Sequence, residues 1–517
     1  MNGSYQKSAG HRPSHSKIIA MQTPRRGQNG QALILAVICM LVFVVGVLVL
    51  FNTGQVVNKK VQLNNTADAA AYSAAVQQAR AYNLISYLNR AQVANEVAVA
   101  QMVSMHSWIN FGISATDHLV DAAEGLGFLL DLTVVGAEVG VALGELGGSL
   151  KEAEQGMQEL RDTIKPIFSA AITGLTDANL IYSDATRAVT VAEIGDIPLL
   201  VQKVVKANTI TAAGTTDKPA GVDAVSLGLL GIQAAAANKT YVNLYEVPNS
   251  GGSASNPRHT TDADRYANVV MEARDGFSAS RNGNVLFLHK RGGTDLVSYN
   301  RWVAMDTLNA KLNLFFIKIN IPLAWGGAAA VKAQTGTSFS QLSGSNPGWT
   351  SPYINDRGHK DPYGGAATND AAGSLAKSQP AIPLNNDAIL TGYRGLHSYE
   401  DITPNKAMVP YGDGDKPDVG PIFTVLVEQA MSDVRTTSNV PNLGGPPNFV
   451  APDKAQNNKM TALATGQVYF DRPKTLFARA DNQRELGSLF SPYWQARLID
   501  TPPSVKLEIF GASAVGL

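Results

Sequence analysis

One uninterrupted apolar segment dominates the hydrophobic pattern near the N-terminus. Residues 32–51 read ALILAVICMLVFVVGVLVLF, twenty positions without a charge or a strongly polar side chain. A helix of this length is about 30 Å long, which matches the hydrocarbon thickness of a bilayer. Helices of soluble proteins seldom stay apolar on every face over such a distance. The pattern therefore predicts a transmembrane helix over residues 31–51.

The charges on either side of this segment predict its orientation. Residues 1–30 contain five Lys and Arg residues and no acidic residue, whereas Lys59 and Lys60 are the nearest cations on the other side. An excess of basic residues before a membrane helix keeps that end in the cytoplasm. We therefore expect residues 1–30 to form a basic, disordered cytoplasmic tail of a single-pass inner-membrane protein whose bulk lies in the periplasm.

A cleaved signal peptide is the alternative interpretation of the same segment. The apolar part of a signal peptide is about 7 to 15 residues long and ends at a small-x-small cleavage site. Here the apolar run is longer, and Asn52-Thr53-Gly54 follows it. A retained anchor is therefore the favoured prediction.

The segment after the anchor is rich in alanine. Eight of the fifteen residues from Ala67 to Ala81 are alanine, which has the highest helix propensity and the smallest helix-compatible side chain. This composition predicts an Ala-rich helical stalk over residues 52–110. Two interpretations stay open: an amphipathic helix that packs on its own domain, and a stalk that docks on neighbouring subunits.

The remainder predicts an α+β fold. A helical region over 111–205, with glycine-rich breaks at 125–127 and 144–148, is followed by a mixed strand and helix region over 206–335. Within the helical region, the apolar stretch 126–143 contains two acidic residues, which favours a buried helical hairpin over a second membrane span.

Two local strand signals stand out in the mixed region. The sequence 277–288 predicts a hairpin whose turn is Asn282-Gly283, because both residues tolerate positive φ. Alternating apolar positions over 315–323 predict a half-buried strand, in which Pro322 marks an edge or an end.

The last third begins with residues of turn-forming type. Residues 336–420 are rich in Gly, Ser, Asn and Pro and predict long loops. Residues 421–517 predict a C-terminal α+β region, with a strand or a helix starting at Ile422. The alternation of Val505, Leu507 and Ile509 predicts a last strand.

Charge and cysteine content exclude several classes of function. The chain has 42 basic and 42 acidic residues, so it lacks the basic surplus that nucleic-acid binding needs. Its single cysteine, Cys39, lies in the apolar segment, which excludes intramolecular disulfides and thiolate clusters.

Common catalytic motifs are absent from the sequence. It contains no G-x-S-x-G, H-E-x-x-H or G-x-x-x-x-G-K-[ST] pattern, so it offers no anchor for a hydrolase elbow, a zinc protease or a P-loop. We therefore predict that the protein is not an enzyme. No catalytic, cofactor-binding or metal-binding residue is assigned, and no cofactor is expected.

An acidic loop and a set of tryptophans resemble binding sites, but each has a simpler interpretation. Residues 412–418 hold three carboxylates, but Thr424 stands at the twelfth position of the loop where a calcium-binding loop needs Glu, so a solvated turn is predicted. The four tryptophans after the stalk could build a groove, although buried anchors are the commoner use. They are Trp302, Trp325, Trp349 and Trp494.

The N-terminal residues resemble the start of the Tad family, the bacterial TadE/TadG-like proteins of Flp pilus assembly. The resemblance covers residues 25–80 and rests on Gly30-Gln31-Ala32-Leu33, the apolar run, Gly54, Leu63, 67–71 (ADAAA) and Ala74-Ala75. Asn52 departs from the Asp of the family pattern. Ala32 and Leu35 stand where a prepilin-type cleavage signal would have Glu, so no such processing is expected.

The resemblance implies a structural role without catalysis. A protein of this kind acts by helix packing and by contact with other pilus-assembly or secretion proteins in the bilayer, and self-association stays open. Small residues such as Ala36 and Gly46 would permit close helix approach in lipid. The alternative is a membrane-anchored envelope enzyme or ligand-binding module of unknown substrate.

Overall fold

Two very long helices and three β-sheets make up the part of the chain that the structure describes. The computed structural model describes residues 29–131, 137–209, 220–247, 261–314, 317–331, 386–403, 420–430, 459–473 and 485–515. The helices are α1 (Asn29–Asp131), α2 (Ala137–Asn208), α3 (Ala224–Lys239), α4 (Thr261–Glu272), α5 (Gly276–Ala279) and α6 (Pro503–Val515). The strands are β1 (Gly221–Val222), β2 (Val242–Tyr245), β3 (Gly283–Val285), β4 (Leu288–Ser298), β5 (Arg301–Leu314), β6 (Ile317–Val331), β7 (Ile389–Leu390), β8 (Tyr399–Ile402), β9 (Ile422–Ala430), β10 (Lys459–Phe470) and β11 (Trp494–Ile499).

The chain divides into two structural units. The first contains residues 1–61 and 430–460, and the second contains residues 62–429 and 461–517. In the first unit the apolar segment of α1 is helical and its side chains face outward, with Phe43 and Leu50 71% and 74% exposed. Among the described residues, this helix alone is long and apolar enough to cross a membrane.

Both long helices continue through the predicted glycine breaks. α1 includes residues 125–127, and α2 includes residues 144–148. The predicted breaks are wrong because a glycine inside a helix costs only about 1 kcal/mol relative to alanine. A helix of several turns tolerates that cost.

The described sheets are built mainly from antiparallel neighbours. The largest has the order β3-β4-β5-β6-β7, in which β5 pairs with β6 along its whole length and β7 joins in parallel. A four-stranded sheet has the order β1-β9-β10-β11, and β2 pairs with β8. Within the described strands, β7 reaches only Ala329 and Ala330 of β6. Pro322 pairs with Asn309 of β5, where the register of the two strands shifts; that it marks an edge or an end stays a prediction.

The alanines of α1 pack inside the second unit. Ala67, Ala70, Ala71, Ala74 and Ala75 are all fully buried. A Cβ placed on Gly466 of β10 would lie 3.0 Å from the Cβ of Ala75, and closer still to the carbonyl oxygen of Ala71. Small residues on both elements thus let the helix lie directly on the strand. Of the two interpretations of the stalk, the structure supports the helix that packs on its own domain over this stretch.

The predicted hairpin over 277–288 is wrong, because its first strand is the helix α5, and a different hairpin joins β3 to β4. The turn lies at Leu286 and Phe287, between β3 and β4, with Leu286 at φ 54°. Residues 276–279 form α5, because the side chain of Asp275 accepts hydrogen bonds from the backbone amides that open this helix. Asn282 instead accepts a 3.0 Å hydrogen bond from the amide of Gly292.

Part of the predicted loop region contributes to the core. Residues 386–403 form a short 3-10 helix (Asn386–Ala388), β7 and β8, and Leu390, Tyr393 and Tyr399 are buried. The loop prediction is wrong for this stretch because average composition hid its few large apolar side chains. Residues 332–385 and 404–419 lie outside the described residues.

The C-terminal region contains strands and ends in a helix. Ile422 starts the strand β9, which selects one of the two predicted alternatives. The predicted last strand is wrong, because residues 503–515 form α6. Val505 and Ile509, four residues apart, pack in a cluster with Leu229 and Leu426, while Leu507 is 75% exposed. A strand would have placed Leu507 on the same face as its two neighbours.

Candidate functional site

A row of buried polar side chains lies on the core-facing side of α1. Successive members are 3, 4, 7 or 11 residues apart, spacings that keep them on one face of a helix. They are Tyr82, Asn89, Gln92, Glu96 and Ser107, and each is buried. Apolar residues of the same face, including Val93 and Val103, belong to the main hydrophobic core of the second unit.

Glu96 is the centre of this row. Its Oε2 accepts hydrogen bonds of 3.0 Å from Nε1 of Trp302 and 2.8 Å from the hydroxyl of Tyr393. Its Oε1 accepts a 3.1 Å bond from Nδ2 of Asn179, whose own oxygen accepts from Asn95 at 2.8 Å. One carboxyl group therefore joins α1 to α2, to β5 and to the segment between β7 and β8.

The surroundings of Glu96 change its acidity. Burial raises the pKa of Glu96 to about 7, although the hydrogen bonds from Trp302, Tyr393 and Asn179 oppose this rise. Burial also raises the pKa values of Tyr266 and Tyr393 well above their usual range, and the nearby Glu96 adds to this effect. These phenols therefore stay protonated and can donate hydrogen bonds.

The neighbouring Gln92 lacks partners within the described residues. It is fully buried, and neither its amide nitrogen nor its amide oxygen is hydrogen-bonded there. An unpaired buried amide costs free energy. The row on α1 therefore combines one well-satisfied carboxyl group with one unsatisfied amide.

Other members of the row bind main-chain atoms of distant segments. Nδ2 of Asn89 donates 2.8 Å hydrogen bonds to the carbonyl oxygens of Glu400 and Leu489. Asn83, the residue after Tyr82 on α1, makes two hydrogen bonds with the main chain of Trp494. Nδ2 of Asn83 donates to the Trp494 carbonyl oxygen at 3.0 Å, and Oδ1 of Asn83 accepts from the Trp494 amide at 2.9 Å. α1 thus fixes C-terminal segments that lie hundreds of residues away in sequence.

A buried ionic cluster lies farther along α1. Asp306 of β5 pairs with Arg281 through bonds of 2.9 and 3.0 Å and with Lys290 at 2.5 Å, and it accepts a 2.7 Å bond from Ser107. Burial raises the pKa of Asp306, but the charges of Arg281 and Lys290 outweigh it and hold the pKa below its usual value. Asp306 is therefore ionised and fully compensated.

A cleft of about 630 Å³ opens beside α1. Val93 and Val97 of α1 line it, together with Val269 of α4 and Phe490. Arg90 and Arg472 also line it. A mainly apolar cleft of this size with a few charged groups has the dimensions of a small-molecule site.

The tryptophans weighed from sequence are mostly core residues. Trp302 is fully buried and Trp494 nearly so, which agrees with their interpretation as anchors. Trp325 is partly buried beside His118, with 4.6 Å between ring centroids. Trp349 and the acidic loop 412–418 lie outside the described residues. In the described ranges, no group of three or more His, Cys, Asp or Glu residues could hold a metal ion.

Sequence reasoning missed Glu96 and the cleft. The available signal was an acid in a helical stripe whose neighbours in the pattern, Val93 and Ala100, are apolar. Such an acid is rarely buried unless it is paired. The partners Trp302 and Tyr393 are more than two hundred residues away, so no local pattern shows them.

Comparison with known proteins gives one result, confined to the N-terminal segment. No curated protein and no solved structure matches the chain. Residues 30–78, which include the apolar segment and the first buried alanines, match the model of one family. That family is Tad, described as "Putative Flp pilus-assembly TadE/G-like", and the similarity is shown for this N-terminal segment.

Proposed function

We propose that the protein is a membrane-anchored structural component of Flp pilus assembly or of a related secretion apparatus. The observation that carries this proposal is the Tad match over residues 30–78, which coincides with an exposed apolar helix of membrane-spanning length. The role that this match supports is assembly, which we propose to proceed by helix packing and protein contact.

The anchor sits in the inner membrane with its N-terminus in the cytoplasm. Five Lys and Arg residues precede the apolar segment, and Lys59 and Lys60 follow it closely. The larger basic excess before the helix supports this orientation. The second unit then lies in the periplasm.

Partner contacts are proposed for the apolar segment and for the outer surface of the second unit. The alanine face over 67–75 is already filled by the strand β10. In contrast, a Cβ on Gly46 would meet nothing within 4 Å. A partner helix can therefore approach the backbone closely at Gly46.

Affinity capture from detergent-solubilised membranes of the native host tests the proposal. The full-length protein carries a C-terminal tag, and co-purified proteins are identified by mass spectrometry. We expect a pilus-assembly ATPase, membrane platform proteins or small pilin-like proteins. Capture of none of these overturns the proposal.

A matched variant separates packing from simple anchoring. Residues 32–51 are replaced by an unrelated transmembrane helix of equal length, which keeps the protein in the membrane. If specific helix packing is the mechanism, the partners are lost while membrane insertion is kept. Retention of every partner would indicate that the partners bind the second unit and not the apolar segment.

A further inference from the structure

The cleft beside α1 has an apolar floor built from helix periodicity. Arg90, Val93, Ala94 and Val97 follow the spacing of one helix face and all line the cleft. Val269 of α4, Ala273, which follows α4, and Phe490 also line it. A ligand in the cleft would therefore cover aliphatic and aromatic side chains along most of its length.

Two guanidinium groups border this apolar floor. Arg90 is exposed and makes no hydrogen bond or ion pair with the residues that the structure describes. Arg472 is held in place, since its side chain is only 26% exposed, lies 5.4 Å from the ring centroid of Tyr493 and pairs with Glu485. Glu485 in turn accepts a hydrogen bond from Ser491.

The charges at the cleft are therefore unequal. Among the described residues, Glu485 pairs with Arg472, and no acidic side chain pairs with Arg90. A guanidinium presents several N–H groups in one plane and binds a carboxylate through paired hydrogen bonds. Within that part of the chain, an oriented Arg472 and an Arg90 without an ion-pair partner line the same cleft, which suits a small anionic head group.

We propose that the cleft binds an amphiphilic carboxylate, a molecule with an anionic head attached to an aliphatic or aromatic body. The head pairs with Arg90 beside the guanidinium of Arg472, and the body covers Val93, Val97 and Phe490. The sequence left open a ligand-binding module of unknown substrate, and this site specifies the class of ligand. It involves the second unit alone, so it can fail or succeed independently of the pilus role.

Photolabelling of the full-length protein in lipid nanodiscs tests the site. The probe is a trifluoromethyl-diazirine benzoate, a small apolar carboxylate, and its control is the matching benzyl alcohol, which lacks the charge. We expect saturable benzoate labelling of peptides containing residues 90–97 and 485–493. The alcohol should label them about tenfold less, because it cannot form the charge-assisted bond.

Three variants sharpen the test. Arg90→Ala should lower benzoate labelling about tenfold, while Arg80→Ala, which removes an exposed arginine of α1 that does not line the cleft, should leave it unchanged. Ala94→Trp places an indole in the cleft from an exposed position and should abolish labelling by both probes. Circular dichroism checks that the variants stay folded.

Competition identifies the source of the ligand. Octanoate and a short peptide with a free C-terminal leucine carry the same chemistry, and the one effective at lower concentration identifies the natural class. Competition by neither overturns the proposal. Equal effects of Arg90→Ala and Arg80→Ala, or labelling that does not saturate, overturn it as well.

Discussion

The indole Nε1 of Trp302 donates a 3.0 Å hydrogen bond to Oε2 of Glu96 across 206 residues of sequence. Both side chains are fully buried. Because Trp302 lies on β5 and Glu96 on α1, this bond fixes the helix that contains the Tad-like residues 30–78 to the largest described sheet. The relationship makes the charge of one carboxyl group a determinant of the stability of the second unit.

Neutralising Glu96 should remove part of the pH dependence of stability. The folded pKa of Glu96 is about 7 and its ordinary value is 4.5, so the folded protein holds the proton more tightly than the unfolded chain. The contribution of Glu96 to stability is therefore greatest below about pH 4.5 and falls as pH rises toward 7, by about 3 kcal/mol in total. Glu96→Gln keeps an oxygen acceptor for Trp302 and Tyr393 and should flatten this fall.

Urea denaturation of the full-length protein in detergent, followed by tryptophan fluorescence at several pH values, measures this effect. Glu96→Leu is the control, because it leaves three buried donors unpaired and should destabilise the protein at every pH. Burial also raises the pKa of Glu193 to about 7 and raises the pKa of Glu400, so both groups should contribute to the slope that remains. An unchanged slope in Glu96→Gln would assign the whole pH dependence to other groups.

Removing the charge of Asp306 should be far more damaging than removing a surface carboxylate. Asp306→Asn leaves Arg281 and Lys290 buried without their anion, and such broken buried pairs typically cost about 3–5 kcal/mol. The exposed Asp162, which pairs with Arg161 at 2.8 Å, is the matched control, and Asp162→Asn should cost less than about 1 kcal/mol.

The same variants predict opposite behaviour in acid. The pKa of Asp306 is held below its usual value, so its contribution is present above the ordinary aspartate pKa and is lost as pH falls. The free energy of unfolding of Asp306→Asn should therefore fall less steeply in acid than that of the unsubstituted protein. Similar losses in Asp306→Asn and Asp162→Asn would show that the buried cluster contributes little.

A methyl group at Gly466 should disturb the contact between α1 and β10. Its Cβ would overlap the backbone of α1 at Ala71, which cannot move aside as a flexible side chain could. Gly466→Ala should lower the free energy of unfolding by about 1–3 kcal/mol or more. Gly231→Ala, where a Cβ meets nothing within 4 Å inside α3, should be neutral or slightly stabilising. Thermal unfolding of both variants measures the difference, and equal midpoints would contradict the close packing.

Local patterns in the sequence predicted the apolar helix, the alanine-rich helix and the strand at the start of β6, because these depend on composition over short windows. They failed where a long-range partner decides the conformation. Val505 and Ile509 alternate like a strand, yet they pack as one helix face because Leu229 and Leu426 lie beside them. The environment of Glu96 likewise depends on Trp302 and Tyr393, whose proximity only the folded chain creates.

A bulky side chain at Gly46 should impair assembly without affecting the protein itself. Gly46 lies in the middle of the apolar segment, and a Cβ there meets nothing within 4 Å of its own chain. Gly46→Leu should therefore leave expression and membrane insertion intact, while it blocks close approach of a partner helix in lipid.

Val47→Leu, a change of similar polarity at the next and already bulky position, is the control. Pilus number by electron microscopy and partner recovery by affinity capture should fall in Gly46→Leu only. Normal pili in Gly46→Leu would mean that the apolar segment anchors the protein without packing against the pilus machinery at this face.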